Sequence, residues 1–206
     1  MTPADAAPDP RNPYVSRGGL KLEHALDTFD LDVAGLACAD LGCSTGGFTD
    51  CLLQRGAARV FAVDTAYGQL AWKLRSDDRV TVMERRNALH VDAPEPVDLV
   101  VLDLGWTRQD KAIPAALGWI GPGGRIVSLV KPHYEADRSQ LGAGGVLDPI
   151  DAERLAESVR DELPALGVEV LGWTRSPVLG GAAGKRRKRG AGNPEWLALV
   201  RRISEP

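Results

Sequence analysis

The stretch Asp40-Leu41-Gly42-Cys43-Ser44-Thr45-Gly46-Gly47-Phe48 decides the fold. Before it, Cys38–Leu41 reads as a short strand. After it, Phe48–Gln54 reads as a helix. A strand, a glycine-rich turn and a helix form the opening unit of a doubly wound α/β domain, which binds ligands at the carboxyl ends of its strands. Glycines let the backbone approach a ligand, and the first helical turn presents free N–H groups. The pattern is not G-x-G-x-x-G, because Ser44-Thr45 precedes the double glycine. It is not a phosphate loop either, because no Gly-Lys-Ser/Thr follows. The turn therefore offers Gly42, Ser44, Thr45, Gly46, Gly47 and Phe48 as cofactor contacts without matching a dinucleotide fingerprint.

The next strand, Arg59–Val63, runs into Asp64, twenty-four residues after Asp40. An acid at that place can accept hydrogen bonds from both hydroxyls of an adenosine ribose. The plainer reading is a cap on the following helix. Taken with the turn, Asp64 predicts a nucleoside cofactor.

The alternation continues outward in both directions. Upstream, Ser16 is a possible cap for a helix whose apolar stripe is Leu22, Ala25, Leu26 and Phe29. Residues 1–13 hold four prolines and read as a disordered tail. Downstream come a helix around Gln69–Leu74 and strands at Val80–Met83 and Val97–Leu102, the last apolar enough to be buried on both faces. A helix at Lys111–Leu117 leads through the turn Gly121–Gly124 into the strand Arg125–Val130. Asp148-Pro149 starts a helix with Ile150, Leu155, Val159 and Leu163 as its buried stripe. Val168–Leu171 and Trp196–Val200 close the pattern. Residues 14–206 thus read as a single α/β domain with a doubly wound, mostly parallel, seven-stranded sheet of Rossmann-like type.

Composition narrows the function. With 44% hydrophobic and 26% charged residues, the 206-residue chain reads as an ordinary soluble domain. Acidic residues number 28 and basic ones 25, which excludes a globally basic nucleic-acid binder. Five of the basic residues are consecutive, Lys185, Arg186, Arg187, Lys188 and Arg189, and glycines flank them. Apart from that run the body is acidic, so the run is one concentrated positive patch, a candidate contact for nucleic-acid phosphates. Cys38, Cys43 and Cys51 show neither paired nor metal-ligand spacing, and His24, His90 and His133 do not either. This points to a reduced, cytoplasmic protein without a metal. No apolar run is long enough to span a membrane, and the N-terminus does not read as a signal peptide. Of the five tryptophans, Trp72, Trp106, Trp119, Trp173 and Trp196, most are expected in the core. Trp106 alone is a candidate to stack on a base or on adenine.

Three segments, taken together, carry a resemblance. Tyr14–Leu22 (YVSRGGLKL), Ser44–Leu53 (STGGFTDCLL) and Leu129–Glu135 (LVKPHYE) resemble the TlyA branch of the FtsJ-like methyltransferases, and the similarity extends from Tyr14 to the last strand. It implies S-adenosylmethionine as cofactor and RNA, mainly ribosomal RNA, as substrate, methylated on ribose 2′-hydroxyls. It also implies a Lys-Asp-Lys-Glu catalytic set at Lys21, Asp103, Lys131 and Glu195. For the cofactor it points to Gly46, Phe48, Asp64 and Asn87, with Asp103 near the methionine part. Two departures stand out. The family's N-terminal S4 domain has only the short tail in its place, and Leu104-Gly105-Trp106 lacks the proline that FtsJ enzymes carry there.

The residue types suit such chemistry. A ribose hydroxyl attacks a methyl group well only when a base takes or shares its proton. A lysine serves if its pKa falls from about 10.4 toward neutrality, which burial and a neighbouring cation both favour. Lys131, with Lys21 near it, is expected to meet that need, and Asp103 and Glu195 would orient the ammonium groups. Two competing functions are a methyltransferase for a non-RNA substrate and a non-catalytic RNA-binding module of the same fold. The basic run argues against the first, and the retained catalytic charges argue against the second.

Overall fold

The structure is a computed structural model. It describes residues 12–142, 144–180 and 192–203. Strand β4 (Val97–Leu102) shows how the layers are organised. Leu99 and Val101 point into one apolar cluster, and Val100 and Leu102 into another on the opposite face. A strand with helices over both faces has no polar side to spare, which is why its sequence is an almost unbroken apolar run.

Around it the chain alternates as the sequence pattern requires. Helix α1 (Gly18–Thr28) precedes β1 (Ala37–Leu41), α2 (Gly47–Gln54), β2 (Arg59–Asp64), α3 (Trp72–Arg75) and β3 (Val80–Glu84). After β4 come α4 (Gln109–Leu117), β5 (Ile120–Val130), α5 (Pro132–Glu135), α6 (Pro149–Glu162), β6 (Val168–Arg175) and β7 (Trp196–Arg202). The seven strands lie in the order β3-β2-β1-β4-β5-β7-β6. The first five are mutually parallel, and β7 runs antiparallel between β5 and β6. From β1 the chain builds outward to β3, then returns to place β4 on the other side of β1. The loops leaving β1 and β4 diverge at this reversal and open a crevice at the strands' carboxyl ends.

Residues of α1 and α2, such as Leu22, Leu26, Phe48 and Leu52, fill one face; Ala112, Ile113, Ala156 and Val159 from α4 and α6 fill the other. Each large aliphatic side chain buried this way contributes about 1.5–3 kcal/mol.

Several expectations are corrected. The α1 cap is Arg17 rather than Ser16, although the Ser16 hydroxyl still accepts the Gly18 N–H at 3.3 Å. Helix α3 is one turn starting at Trp72, because residues 69–71 are drawn in to bury Leu70 and to let Ala71 N–H reach the Thr45 carbonyl. The turn Gly121–Gly124 is absorbed into β5 as an irregularity in its pairing with β4. On α6 the buried stripe is Ala152, Ala156 and Val159, while Ile150, in the first turn beside the capping Asp148, is exposed. Trp72 and Trp106 are also largely exposed, whereas Trp119 and Trp196 are buried. Of the expected tail, residues 1–11 lie outside the described residues. Pro13 lies inside them, and its carbonyl accepts from Gln54 at 3.2 Å. No described helix is long and apolar enough to cross a membrane.

Candidate active site

The turn after β1 owes its shape to two glycines. Gly42 has φ +94°, and a Cβ there would lie 2.6 Å from the Asp103 carbonyl oxygen, so only glycine lets the β1 and β4 ends approach so closely. Gly46, at φ +100°, is the left-handed residue that starts α2, and a Cβ on it would strike Leu70 and Leu74. Gly46 therefore faces the core and does not line the cavity, unlike the other turn residues proposed as contacts.

Asp40 ties the turn to the helix. Its Oδ2 accepts from Thr49 N–H at 2.9 Å and from the Thr49 hydroxyl at 2.6 Å. Its Oδ1 is fully buried with no partner among the described residues. Burial raises the Asp40 carboxyl to about 7, with Asp103 and Asp64 adding to the rise against the Thr49 bonds.

At the strand ends lies a cleft of about 820 Å³, with Gly42, Ser44, Asp64, Asn87, Asp103 and Lys131 among its walls. A smaller cavity of about 240 Å³ adjoins it and shares Gly42, Ser44 and Asp103. Lys21, Asp40, Thr45, Gly47 and Phe48 also border this cavity. Asp64 is positioned by accepting the Ser44 N–H and the Ala66 N–H, both at 2.8 Å.

Two ion pairs stand at the rim. Lys131, at the end of β5, contacts the Asp103 carboxylate and donates to the Leu104 carbonyl at 3.1 Å. Lys21 on α1 donates to Glu195 Oε2 at 2.5 Å, and both side chains are buried. The four residues thus come from four separate chain segments and form two neutral pairs. Glu195 borders neither cavity and reaches the site only through Lys21. Burial raises its carboxyl above the usual range, against the pull of Lys21 and Lys131.

One expectation is reversed. Burial does act to lower the Lys131 pKa, but the Asp103 carboxylate in contact and Glu195 beyond it outweigh that effect, so its pKa is raised. His133, buried two residues on, is driven down to about 4 by burial and by the charges of Lys131 and Lys21, and its Nδ1 has no partner among the described residues.

Three side chains at the site escaped the sequence reading. Asp40 carries the same signal as Asp103, an acid at the end of a buried strand. Tyr134 stacks on Trp106 with ring centroids 4.7 Å apart and planes at 29°. Gln109 is buried, and its Oε1 accepts from the Ser128 hydroxyl at 2.7 Å. The basic run Lys185–Arg189 falls outside the described residues. Among the described residues, no group of three or more His, Cys, Asp or Glu is placed to hold a metal.

Comparison with known proteins adds independent observations. The FtsJ-like methyltransferase family model matches residues 14–183. Over 177 residues the chain is 46% identical to the 16S/23S rRNA (cytidine-2′-O)-methyltransferase TlyA of Mycobacterium tuberculosis, covering 84% of this chain and 66% of that protein. The chain therefore spans slightly under two thirds of that relative's length. A solved Streptococcus thermophilus protein bearing a hemolysin name is 38% identical with TM-score 0.84, covering 98% of this chain and 70% of that one. An S-adenosylmethionine dependent methyltransferase from Mesorhizobium loti has TM-score 0.60 at 20% identity, covering 87% and 96% of the two chains. That last likeness concerns the fold alone.

Proposed function

Because the chain belongs to the FtsJ-like methyltransferase family, we propose that it is an S-adenosylmethionine-dependent RNA ribose 2′-O-methyltransferase acting on ribosomal RNA, with Lys21, Asp103, Lys131 and Glu195 as its catalytic set. The observation that carries this reading is the convergence of the Lys131–Asp103 and Lys21–Glu195 pairs on the rim of the strand-end cleft. That the TlyA relative is a 16S/23S rRNA (cytidine-2′-O)-methyltransferase supports ribosomal RNA as the substrate.

The residues present fit the cofactor. Asp64 and Asn87 line the end of the cleft beyond β2 and β3, where a ribose and an adenine would lie. Asp40 leaves a buried carboxylate oxygen without a partner among the described residues, and Asp40 borders the small cavity beside Asp103, so a cationic methionine end would be neutralised there. When bound, the cofactor supplies a methyl group on a sulfonium that leaves without covalent help from the protein.

The protein's own task is to hold the acceptor hydroxyl and manage its proton. Lys131 takes that proton, and to do so it must first be neutral. Asp103 opposes this. A cation beside Asp103 competes for the carboxylate and weakens its hold on the Lys131 proton. Lys21, held by Glu195, presents an ammonium at the smaller cavity, where it would stabilise an incipient alkoxide. Beyond Asp103, on the β5 side, the exposed Trp106, stacked on the half-buried Tyr134, offers a flat face for an unpaired base of the acceptor RNA.

The deciding experiment incubates the protein with methyl-labelled S-adenosylmethionine and ribosomal subunits, followed by nucleotide mapping. The expected outcome is label in a 2′-O-methylated nucleotide of ribosomal RNA. Label in protein, in small molecules or on a base nitrogen overturns the proposal.

A further inference from the structure

Asp103 and Lys131 end neighbouring parallel strands, and the chain segments that follow them carry Trp106 and Tyr134. Nothing in the strand register holds these two segments together once the strands have ended. A small polar network does so, and Glu135 is at its centre.

Helix α4 begins at Gln109, and its N-cap residue Arg108 makes no capping bond of its own. Glu135, the last residue of α5, supplies the missing acceptor from across the gap. Its Oε1 accepts the Gln109 N–H at 2.8 Å, and its Oε2 lies 3.3 Å from Arg108 Nε. A carboxylate at a helix N-terminus satisfies an orphan donor and complements the helix dipole. The Glu135 side chain is only 6% exposed, so this contact is shielded from competing water. Gln109 then anchors the same point to the sheet. Its Oε1 accepts from the buried Ser128 hydroxyl at 2.7 Å, and its Nε2 donates to the Leu129 carbonyl at 3.4 Å, on the two residues before Val130 and Lys131.

The loop 103–108 is thereby fixed at both ends, by β4 at its start and by Gln109 and Glu135 at its finish. Trp106 sits in the middle with φ +53°, a conformation that a non-glycine residue keeps only when its surroundings impose it.

We infer that Glu135 is a positioning residue for the RNA acceptor: it caps α4 in trans and so holds the Trp106–Tyr134 platform in register with Lys131. The inference rests on the RNA-methyltransferase reading of the site. Asp64, Asn87 and Asp40 lie on or beyond strands that this network does not touch, so the cofactor contacts proposed for them are expected to survive its loss.

The test compares Glu135→Ala, Glu135→Asp and Glu135→Gln with the parent protein, using ribosomal RNA subunits as acceptor and calorimetry with S-adenosylmethionine. In Glu135→Ala the KM for RNA is expected to rise by about tenfold, as for a displaced recognition surface, while cofactor affinity stays at the parent value. Glu135→Gln, whose amide oxygen can still accept the Gln109 N–H, is expected to restore most of the KM. An unchanged KM in a folded Glu135→Ala variant overturns the inference, as does a matching loss of cofactor affinity or a glutamine variant no better than alanine. If the alanine variant does not fold, Glu135→Asp decides, because the shorter carboxylate must leave Gln109 and raise KM in the same way; a parent-like KM overturns the inference. A parent protein that methylates no RNA overturns the functional reading instead, and the two failures are thereby distinguished.

Discussion

Lys21 and Glu195 stand 174 positions apart in the chain, yet they form a buried salt bridge of 2.5 Å beneath the cleft rim. One comes from the helix that opens the domain and the other from the residue just before its last strand. The contact closes the fold on itself at the place where the chemistry is proposed, so stability and activity share a side-chain pair.

Breaking that pair is expected to cost more than the pair itself contributes. Glu195→Ala leaves the Lys21 ammonium buried without a counter-charge, and the loss should be about 3–5 kcal/mol. A Lys21→Met, Glu195→Leu double variant removes both charges and should recover much of the stability without activity. Urea unfolding of the three proteins checks this. A single variant as stable as the parent would show that the pair is solvated in solution.

How much of this was legible from residue order follows from where the signals lie. Val97–Leu102 and Arg59–Val63 reported their burial directly, because alternating strands and helices leave parallel strands covered on both faces. Asp64, Asp103 and Lys131 were legible as charges ending such runs. Glu195 was reached only through the family resemblance, since its reason for being there is Lys21 at the far end of the chain. Glu135 and Gln109 were not legible: their roles are backbone-capping contacts across a sheet edge, which no local spacing encodes. The direction of the Lys131 pKa was not legible either: Asp103 is expected from the sequence only to orient the ammonium, whereas its contact, with Glu195 beyond it, outweighs burial.

Lys131→Ala is expected to retain cofactor binding and to lose methyl transfer by on the order of a hundredfold or more, the usual worth of an acid–base group. Lys131→Arg should fail as well, because a guanidinium keeps its proton. Single-turnover rates with saturating cofactor provide the measurement. An arginine variant working at the parent rate would remove Lys131 from the role of base.

Asp64→Ala should weaken S-adenosylmethionine binding by roughly 1–3 kcal/mol through loss of a charged acceptor. The same change also frees the Ser44 and Ala66 N–H groups, so Asp64→Asn is the cleaner variant and should fall between parent and alanine. Calorimetry decides, and unchanged affinity in both folded variants would place the ribose elsewhere.

Trp106→Ala should raise the KM for RNA by the equivalent of about 1–3 kcal/mol, the worth of one stacked base, with cofactor affinity intact. Trp106→Phe should keep part of the effect. Equal KM values for all three proteins would leave the exposed indole without an RNA contact.

Asp40 predicts a pH dependence whose sign follows from its environment. Its carboxyl is raised from the ordinary aspartate value to about 7, chiefly by burial, so the native state holds a proton there that the unfolded chain has already released. This group's contribution to stability is therefore full below about pH 4 and is lost as pH rises through about 7. Cofactor affinity should move the other way. A cation entering the adjoining cavity is attracted by the ionised carboxylate, so binding should tighten as pH climbs through about 7 and then level off, with protons released on binding below that point. Asp40→Asn keeps an oxygen for the Thr49 N–H but carries no charge, and it should bind more weakly with a flat profile across this range. Titration calorimetry in buffers of different ionisation enthalpy measures both affinity and proton release. An analogue lacking the α-amino group separates the two cationic centres: if its affinity keeps the full pH dependence, Asp40 answers to the sulfonium; if it loses it, Asp40 answers to the ammonium. A parent protein whose S-adenosylmethionine affinity is flat from pH 6 to 8 would mean that the buried carboxylate takes no part in holding the cofactor.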